Sequence, residues 1–204
     1  MPKGIPAAGF RQRTLMGNKM AGIRIEYVSD PNETDEQVSI RLQERFNILG
    51  QLTNACIKGY ARALIVSGPP GLGKSYTVEN ALTSNDPNGT NHSIIRGYVR
   101  PTGLIKTLYH HREKGHVIVF DDADTIFFDD TSLNLLKTVC DTTKKRVVSF
   151  LSEGSLTDEN TAERIPKQFE FNGTIIFISN YDFDVMIERG HKLAPHLQAL
   201  ISRS

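Results

Sequence analysis

Gly68-Pro69-Pro70-Gly71-Leu72-Gly73-Lys74-Ser75 is the stretch on which the reading of this 204-residue chain turns. It matches G-x-x-x-x-G-K-[ST] in full, the pattern of a loop that wraps a phosphate. Glycines suit such a loop because successive N–H groups must turn inward, and side chains would block the anion's approach. Lys74 then reaches the β and γ phosphates, and the Ser75 hydroxyl is placed to ligate Mg²⁺. The flanks agree. Ala63 to Ser67 is a short apolar run that reads as a strand, and Lys74 to about Thr83 reads as a helix whose N-terminus attracts an anion. Gly68 to Ser75, with Tyr76 just after, form the candidate nucleotide-binding stretch. The bland alternative is a glycine-rich turn holding an incidental lysine.

A phosphate loop needs a partner acid for the metal, and Val117-Ile118-Val119-Phe120-Asp121-Asp122 offers one. Strands this uniformly apolar are usually buried on both faces of a parallel sheet. At its end, Asp121 is expected to hold Mg²⁺ through water and Asp122 to orient and polarise an attacking water. Strand-terminal aspartates are also common turn residues, so this pattern gains its meaning from the loop that precedes it.

Further out, Thr34 and Gln37 form a capping box ahead of Val38, Leu42, Phe46, Leu49, Leu52 and Cys56, a helical spacing that Gly59 closes. Ser93 to Val99 reads as the second strand, and Pro101 and Thr102 open a helix carrying Leu104, Leu108 and His111 that Gly115 closes. A helix runs around Leu133, Leu136 and Val139. Arg146 to Leu151 and Lys167 to Phe171 are expected to pair as a β-hairpin; Thr174 to Ser179 is a fully apolar strand, and a final helix carries Leu193, Leu197, Leu200 and Ile201. Strands alternating with helices give an α/β domain with a mainly parallel central sheet flanked by helices.

Composition bounds the function. Hydrophobic residues make up 39% and charged residues 23%, which suits a globular core, and 24 basic against 23 acidic side chains leave a net charge of +1. Contact with nucleic acid or membrane through bulk charge is thereby excluded, and any such contact needs a local patch. No apolar run approaches the roughly 18 to 20 residues of a membrane helix, and Met-Pro-Lys-Gly begins no signal peptide, so a cytoplasmic protein is expected. Cys56 and Cys140 have no metal-binding spacing and read as buried free thiols. Residues 1–28 hold Lys3, Arg11, Arg13, Lys19 and Arg24 among glycines, a basic arm that is either a disordered terminus or a polyanion contact. Ile23 to Val28 alternates like a short strand. Residues 29–204 form the domain proper.

With these elements in this order, the sequence resembles the AAA+ ATPases, a P-loop NTPase family, from about Thr34 to Ser204, and most of all those of tailed phages and plasmids. The resemblance implies ATP and Mg²⁺ as cofactors, ATP hydrolysis, and a base domain carrying Walker A and Walker B motifs. It also implies two further catalytic residues beside Lys74 and Asp122. Thr174-Ile175-Ile176-Phe177-Ile178-Ser179-Asn180 fits the strand that ends in sensor 1, at Asn180. Leu200-Ile201-Ser202-Arg203 resembles the segment bearing the arginine finger, which reaches a neighbouring subunit's nucleotide, so Arg203 serves a neighbour rather than its own site. A ring homo-oligomer, a hexamer, is implied when the family's helical lid is present; that lid is expected to be absent from this chain. Asp122 stands where the family usually has Glu, which pulls the carboxylate back by one methylene and slows hydrolysis.

The substrate stays open between DNA and protein. Gly97-Tyr98-Val99 falls where family motors place a pore-loop aromatic, and the hairpin before sensor 1 resembles that of branch-migration helicases and of protein-unfolding machines. A ring-forming remodeller or translocase in the cytoplasm, the host's if a phage encodes it, is the first expectation. A nucleotide-dependent switch or helicase-loader-like protein is the second. A small-molecule kinase is the third, which the scatter of Arg112, Arg146 and Arg164 along the chain disfavours.

Overall fold

The structure, a computed structural model, describes residues 33–151, 154–158, 162–191 and 193–203. The basic arm and the strand expected at Ile23 to Val28 lie outside the described residues. In chain order the elements are α1 (Asp35–Ile57), β1 (Ala63–Ser67), α2 (Lys74–Asn85), β2 (His92–Arg96), α3 (Pro101–His110), β3 (Val117–Asp121), a 3₁₀ turn (Asp124–Phe128), α4 (Asp130–Val139), β4 (Val147–Ser149), β5 (Gln168–Glu170), β6 (Thr174–Ser179), α5 (Phe183–Glu188) and α6 (Ala194–Ile201).

Four strands form one parallel sheet in the order β1-β6-β3-β2. Register aligns Ser67 with Ser179, Asp121 with Ile178, and Arg96 with Asp121, so the C-terminal ends of all four strands finish side by side. β3 and β6 lie inside the sheet and are buried at every position, which explains their unbroken apolar sequence. Successive side chains divide between two faces. Ile118, Phe120, Ile175 and Phe177 pack with α3, α4 and α6, while Val117, Val119, Ile176 and Ile178 pack with Cys56 of α1 and Val78 and Leu82 of α2. The result is three layers, helix, sheet and helix, with the strand ends open between them. Phe120 and Phe177 stack across β3 and β6 with ring centroids 5.7 Å apart.

Local signals set the helix ends. Thr34 accepts from Gln37 N while Gln37 Oε1 accepts from Thr34 N at 2.9 Å, so the capping box closes in both directions. Asp129 caps α4 by accepting from Ser132 N at 2.7 Å. β4 and β5 pair antiparallel as expected, in a shorter ladder than the apolar runs predict. Two boundaries differ. β2 starts at His92 and stops at Arg96 because Gly97 takes φ 86°, a left-handed conformation that leaves the sheet; Tyr98 is therefore in the following loop and not in the strand. α3 ends at His110 and not at Gly115, its last turn running into the compact 111–116 segment, where His116 N bonds Glu113 O. Cys56 and Cys140 are buried free thiols, each pushed up to about 12 by burial.

Candidate functional site

At the open end of the sheet, β1 runs into the glycine loop and β3 and β6 end beside it. Gly71 and Gly73 adopt φ 81° and 83°, and Gly68 φ 155°. No neighbouring atom crowds a Cβ at Gly71, so glycine is needed there for the backbone conformation and not for space. Gly73 N-caps α2, whose first residues are Lys74 and Ser75. Pro69, Pro70, Gly71, Leu72 and Gly73 are exposed, and Tyr76 stands outward at 70% exposure.

Lys74 folds back across the loop. Its Nζ donates to the carbonyls of Gly68 and Pro69, both at 2.8 Å, and to Asn180 Oδ1 at 3.1 Å. Burial lowers the lysine's pKa, and the charges of Asp122 and Asp121 act against that shift. Ser75 Oγ donates to Asp121 Oδ1 at 2.8 Å, joining the first turn of α2 to the end of β3. Asp122 takes φ 52°, a conformation Asp tolerates better than most residues, and its N–H donates to Ile178 O. Its Oδ1 accepts from Asn180 Nδ2 at 2.8 Å. Asn180 thus bridges Lys74 and Asp122, so that a cation, a hydroxyl, two carboxylates and an amide from three segments meet at one sheet end.

Sequence reasoning missed Arg96. As the last residue of β2 it lies beside Asp121, donating from Nε to Asp121 Oδ2 at 3.0 Å and from Nη2 to Glu79 Oε2 on α2 at 3.1 Å. Aligning the ends of β2 and β3 would have found it, because parallel register brings the two final residues together. Asp124, the third acid of the run that follows the β3 strand and the sequence's alternative to Asp122 as base, lies nearby. Burial raises its carboxyl pKa, a hydrogen bond from Ser179 opposes the rise and the Asp122 charge adds to it, while Oδ1 is buried with no partner.

Arg203 does not join this cluster. Its Nη1 donates to Ala199 O at 2.6 Å, and its Nε lies 3.9 Å from an Asp141 carboxylate oxygen. Asp141 follows α4, and its backbone carbonyl accepts from Arg62, which precedes β1, so Arg203 sits at the opposite end of the sheet. Nor do the scattered arginines supply a lid. Arg146 is 7% exposed and donates to the carbonyls of Val139 and Gly173, and Arg112 lies over the Tyr109 ring. Tyr98 is 72% exposed next to buried Val99. Among the described residues no group of three or more His, Cys, Asp or Glu side chains gathers as a metal cage, and no helix is long and apolar enough to cross a membrane.

The chain matches no protein-family model and no solved structure. Over 184 residues, 90% of its length, it is 42% identical to a protein of Enterobacteria phage T4 described as an uncharacterized 36.7 kDa protein in the nrdC-mobD intergenic region. It spans 54% of that relative, about half its length.

Proposed function

We propose that this chain is an ATP-binding and ATP-hydrolysing P-loop protein of the AAA+ type, working in a ring as a remodeller or translocase on DNA or protein. One observation carries the reading: three segments distant in sequence meet beside a glycine loop at the C-terminal ends of parallel strands, in two hydrogen-bonded sets, Lys74–Asn180–Asp122 and Ser75–Asp121, that the chain itself joins at residues 74–75 and 121–122. Ligands of open α/β sheets bind at that end.

The residues fit the group they are asked to hold. A hydroxyl and a carboxylate oxygen in contact, Ser75 with Asp121, are hard oxygen donors suited to Mg²⁺, which takes one or two protein ligands and completes its shell with phosphates and water. When bound, the ion neutralises phosphate charge. Lys74 leaves the Gly68 and Pro69 carbonyls to meet phosphate oxygens, and the loop N–H groups and the start of α2 cradle them. Asp122 holds and polarises the water, with Asn180 fixing its carboxylate. Arg203, far from its own loop, is available to a neighbouring subunit once it parts from the Ala199 carbonyl and from Asp141.

The switch reading is favoured by a separate feature, the short Asp122 already engaged by Asn180, which suits slow turnover. Hydrolysis rate per subunit, measured against protein concentration with and without single-stranded DNA, separates the two. A steep rise with concentration that Asp122→Asn abolishes, and that Arg203→Ala abolishes without loss of ATP affinity, supports the ring motor. Rates that stay flat and near background at every concentration, with ATP still bound, support the switch.

A further inference from the structure

The end of the sheet opposite the candidate site holds a cleft of about 320 Å³, among whose lining residues are Arg62, Lys114, Lys144, Arg146, Asn172 and Thr174. Among the described residues four cations line it and no carboxylate does. They come from separate stretches: Arg62 precedes β1, Lys114 precedes β3, and Lys144 and Arg146 precede β4. Five-residue strands separate this end from the glycine loop by on the order of 15 Å, so the cleft is no part of the site described above.

Two of the cations are fixed. Arg146, 7% exposed, spends its N–H groups on the carbonyls of Val139 at 2.6 Å and Gly173 at 3.0 Å, with the Phe171 ring centroid 5.2 Å away. Arg62 donates to the carbonyls of Asp141 and Thr143. Carbonyls satisfy the hydrogen bonds, no carboxylate among the described residues pairs directly with either guanidinium, and arginine cannot shed its proton. Burial lowers the Arg146 pKa, the Arg62 charge lowers it further, and Cys140 and Glu170 oppose. A buried charge is ordinarily paired; here a second cation stands beside it.

The other two cations are poised. Lys114 and Lys144 are exposed, and among the described residues neither has an ion-pair partner. The neighbouring acids are engaged elsewhere, Asp141 with Arg203 and Glu113 with Arg112 at 3.3 Å. His111, on the adjoining segment, is pushed down to about 4, by burial first and then by the charge of His116, so it stays neutral at pH 7. Two guanidiniums held by carbonyls and two exposed ammoniums, lining a cleft with no carboxylate among its described lining residues, suit a multiply charged tetrahedral anion better than a single carboxylate.

We propose that this cleft is a second anion site that binds a phosphate group, carried on a nucleic-acid backbone or free in solution. The test uses the full chain carrying Lys74→Ala in every arm, which weakens the glycine loop equally throughout, and reads only the change made by the cleft substitutions, so its outcome is independent of the ATPase reading. Inorganic pyrophosphate is titrated by calorimetry and labelled single-stranded oligothymidine by anisotropy, with and without Lys114→Glu/Lys144→Glu. Both lysines are exposed, so the fold should persist, and Lys114→Gln/Lys144→Gln gives a neutral control whose loss should be smaller.

Affinity for at least one probe is expected to fall on the order of tenfold or more in the Glu variant. For the oligomer, the dependence of log affinity on log salt should also become shallower by about 1.4, the value for two phosphate contacts on a single strand. Loss of oligomer binding that pyrophosphate competes for identifies the backbone as the source, and loss for pyrophosphate alone identifies the free anion. Unchanged affinity for both probes in the variant, or no binding of either by the unreversed chain, overturns the proposal.

Discussion

Replacing Arg96 by Ala tests how the Asp121 carboxylate is held. The Asp121 side chain is 5% exposed and receives two side-chain donors, Ser75 Oγ on Oδ1 at 2.8 Å and Arg96 Nε on Oδ2 at 3.0 Å. Removing Arg96 strips Oδ2 of its donor, and loss of a hydrogen bond to a charged, buried acceptor is worth on the order of 1–3 kcal/mol. The Arg96 side chain is itself 56% exposed, so water enters the vacated space and screening trims the loss to about 1–2 kcal/mol. Its other pair, with Glu79, joins side chains 56% and 49% exposed and contributes under about 1 kcal/mol. Urea unfolding at neutral pH should therefore rank Arg96→Ala as clearly more damaging than Glu79→Ala, with Arg96→Lys between them and the m-value unchanged. Equal losses below about 0.5 kcal/mol for the two alanine variants would refute the reasoning, since Asp121 would then need no help from β2.

Three other outcomes follow from burial and close contact. Gly173→Ala would put a Cβ 2.3 Å from the His111 carbonyl oxygen in a backbone pinned by Asn172 N to Arg112 O and Thr174 N to His116 O; thermal melts should show a loss on the order of 2–4 kcal/mol, and parental stability would remove the contact from the account. Asp124 has its folded pKa raised, so its charge weakens the fold above that pKa and the penalty fades as pH falls toward the ordinary carboxylate range. Asp124→Asn should accordingly gain a few tenths of a kcal/mol at pH 7, after screening of this half-buried group, and nothing near pH 4. A gain that persists at low pH contradicts that origin. Cys56 and Cys140, buried with thiols pushed up to about 12, should resist a thiol reagent in the native protein and react on unfolding; rapid native-state labelling would show that the core opens.

What was legible in the sequence was whatever local chemistry determines. The Thr34–Gln37 box fixed the start of α1, and the unbroken apolar runs of β3 and β6 identified strands buried on both faces. The 3₁₀ turn Asp124–Phe128 and the six-residue α5 escaped because neither is long enough to show a period. Candidate site residues carried by a contiguous motif, Lys74 and Ser75, were readable directly. Arg96 was not, because its role depends on which strand lies beside β3. The basic cleft was hidden for the same reason, since residues 62, 114, 144 and 146 converge only when the strand starts are aligned. Arg146 sits one residue before β4, at the edge of a run expected to form half of a hairpin, and it is held by carbonyls of α4 and of Gly173.

The central claim is that the glycine loop binds the phosphates of ATP, and Lys74→Ala addresses it most directly. In the structure the Lys74 ammonium donates to oxygens of Gly68, Pro69 and Asn180, so its removal disturbs the loop locally and takes away the cation proposed to meet the phosphates. One charge-assisted bond to phosphate accounts for on the order of ten- to a hundredfold in affinity. Calorimetric titration of Mg²⁺-ATP at physiological salt should give saturable binding by the parent and at least that loss in Lys74→Ala, with the melting temperature of the unliganded protein little changed. Equal ATP affinity in the two proteins, or none in the parent, would contradict the account.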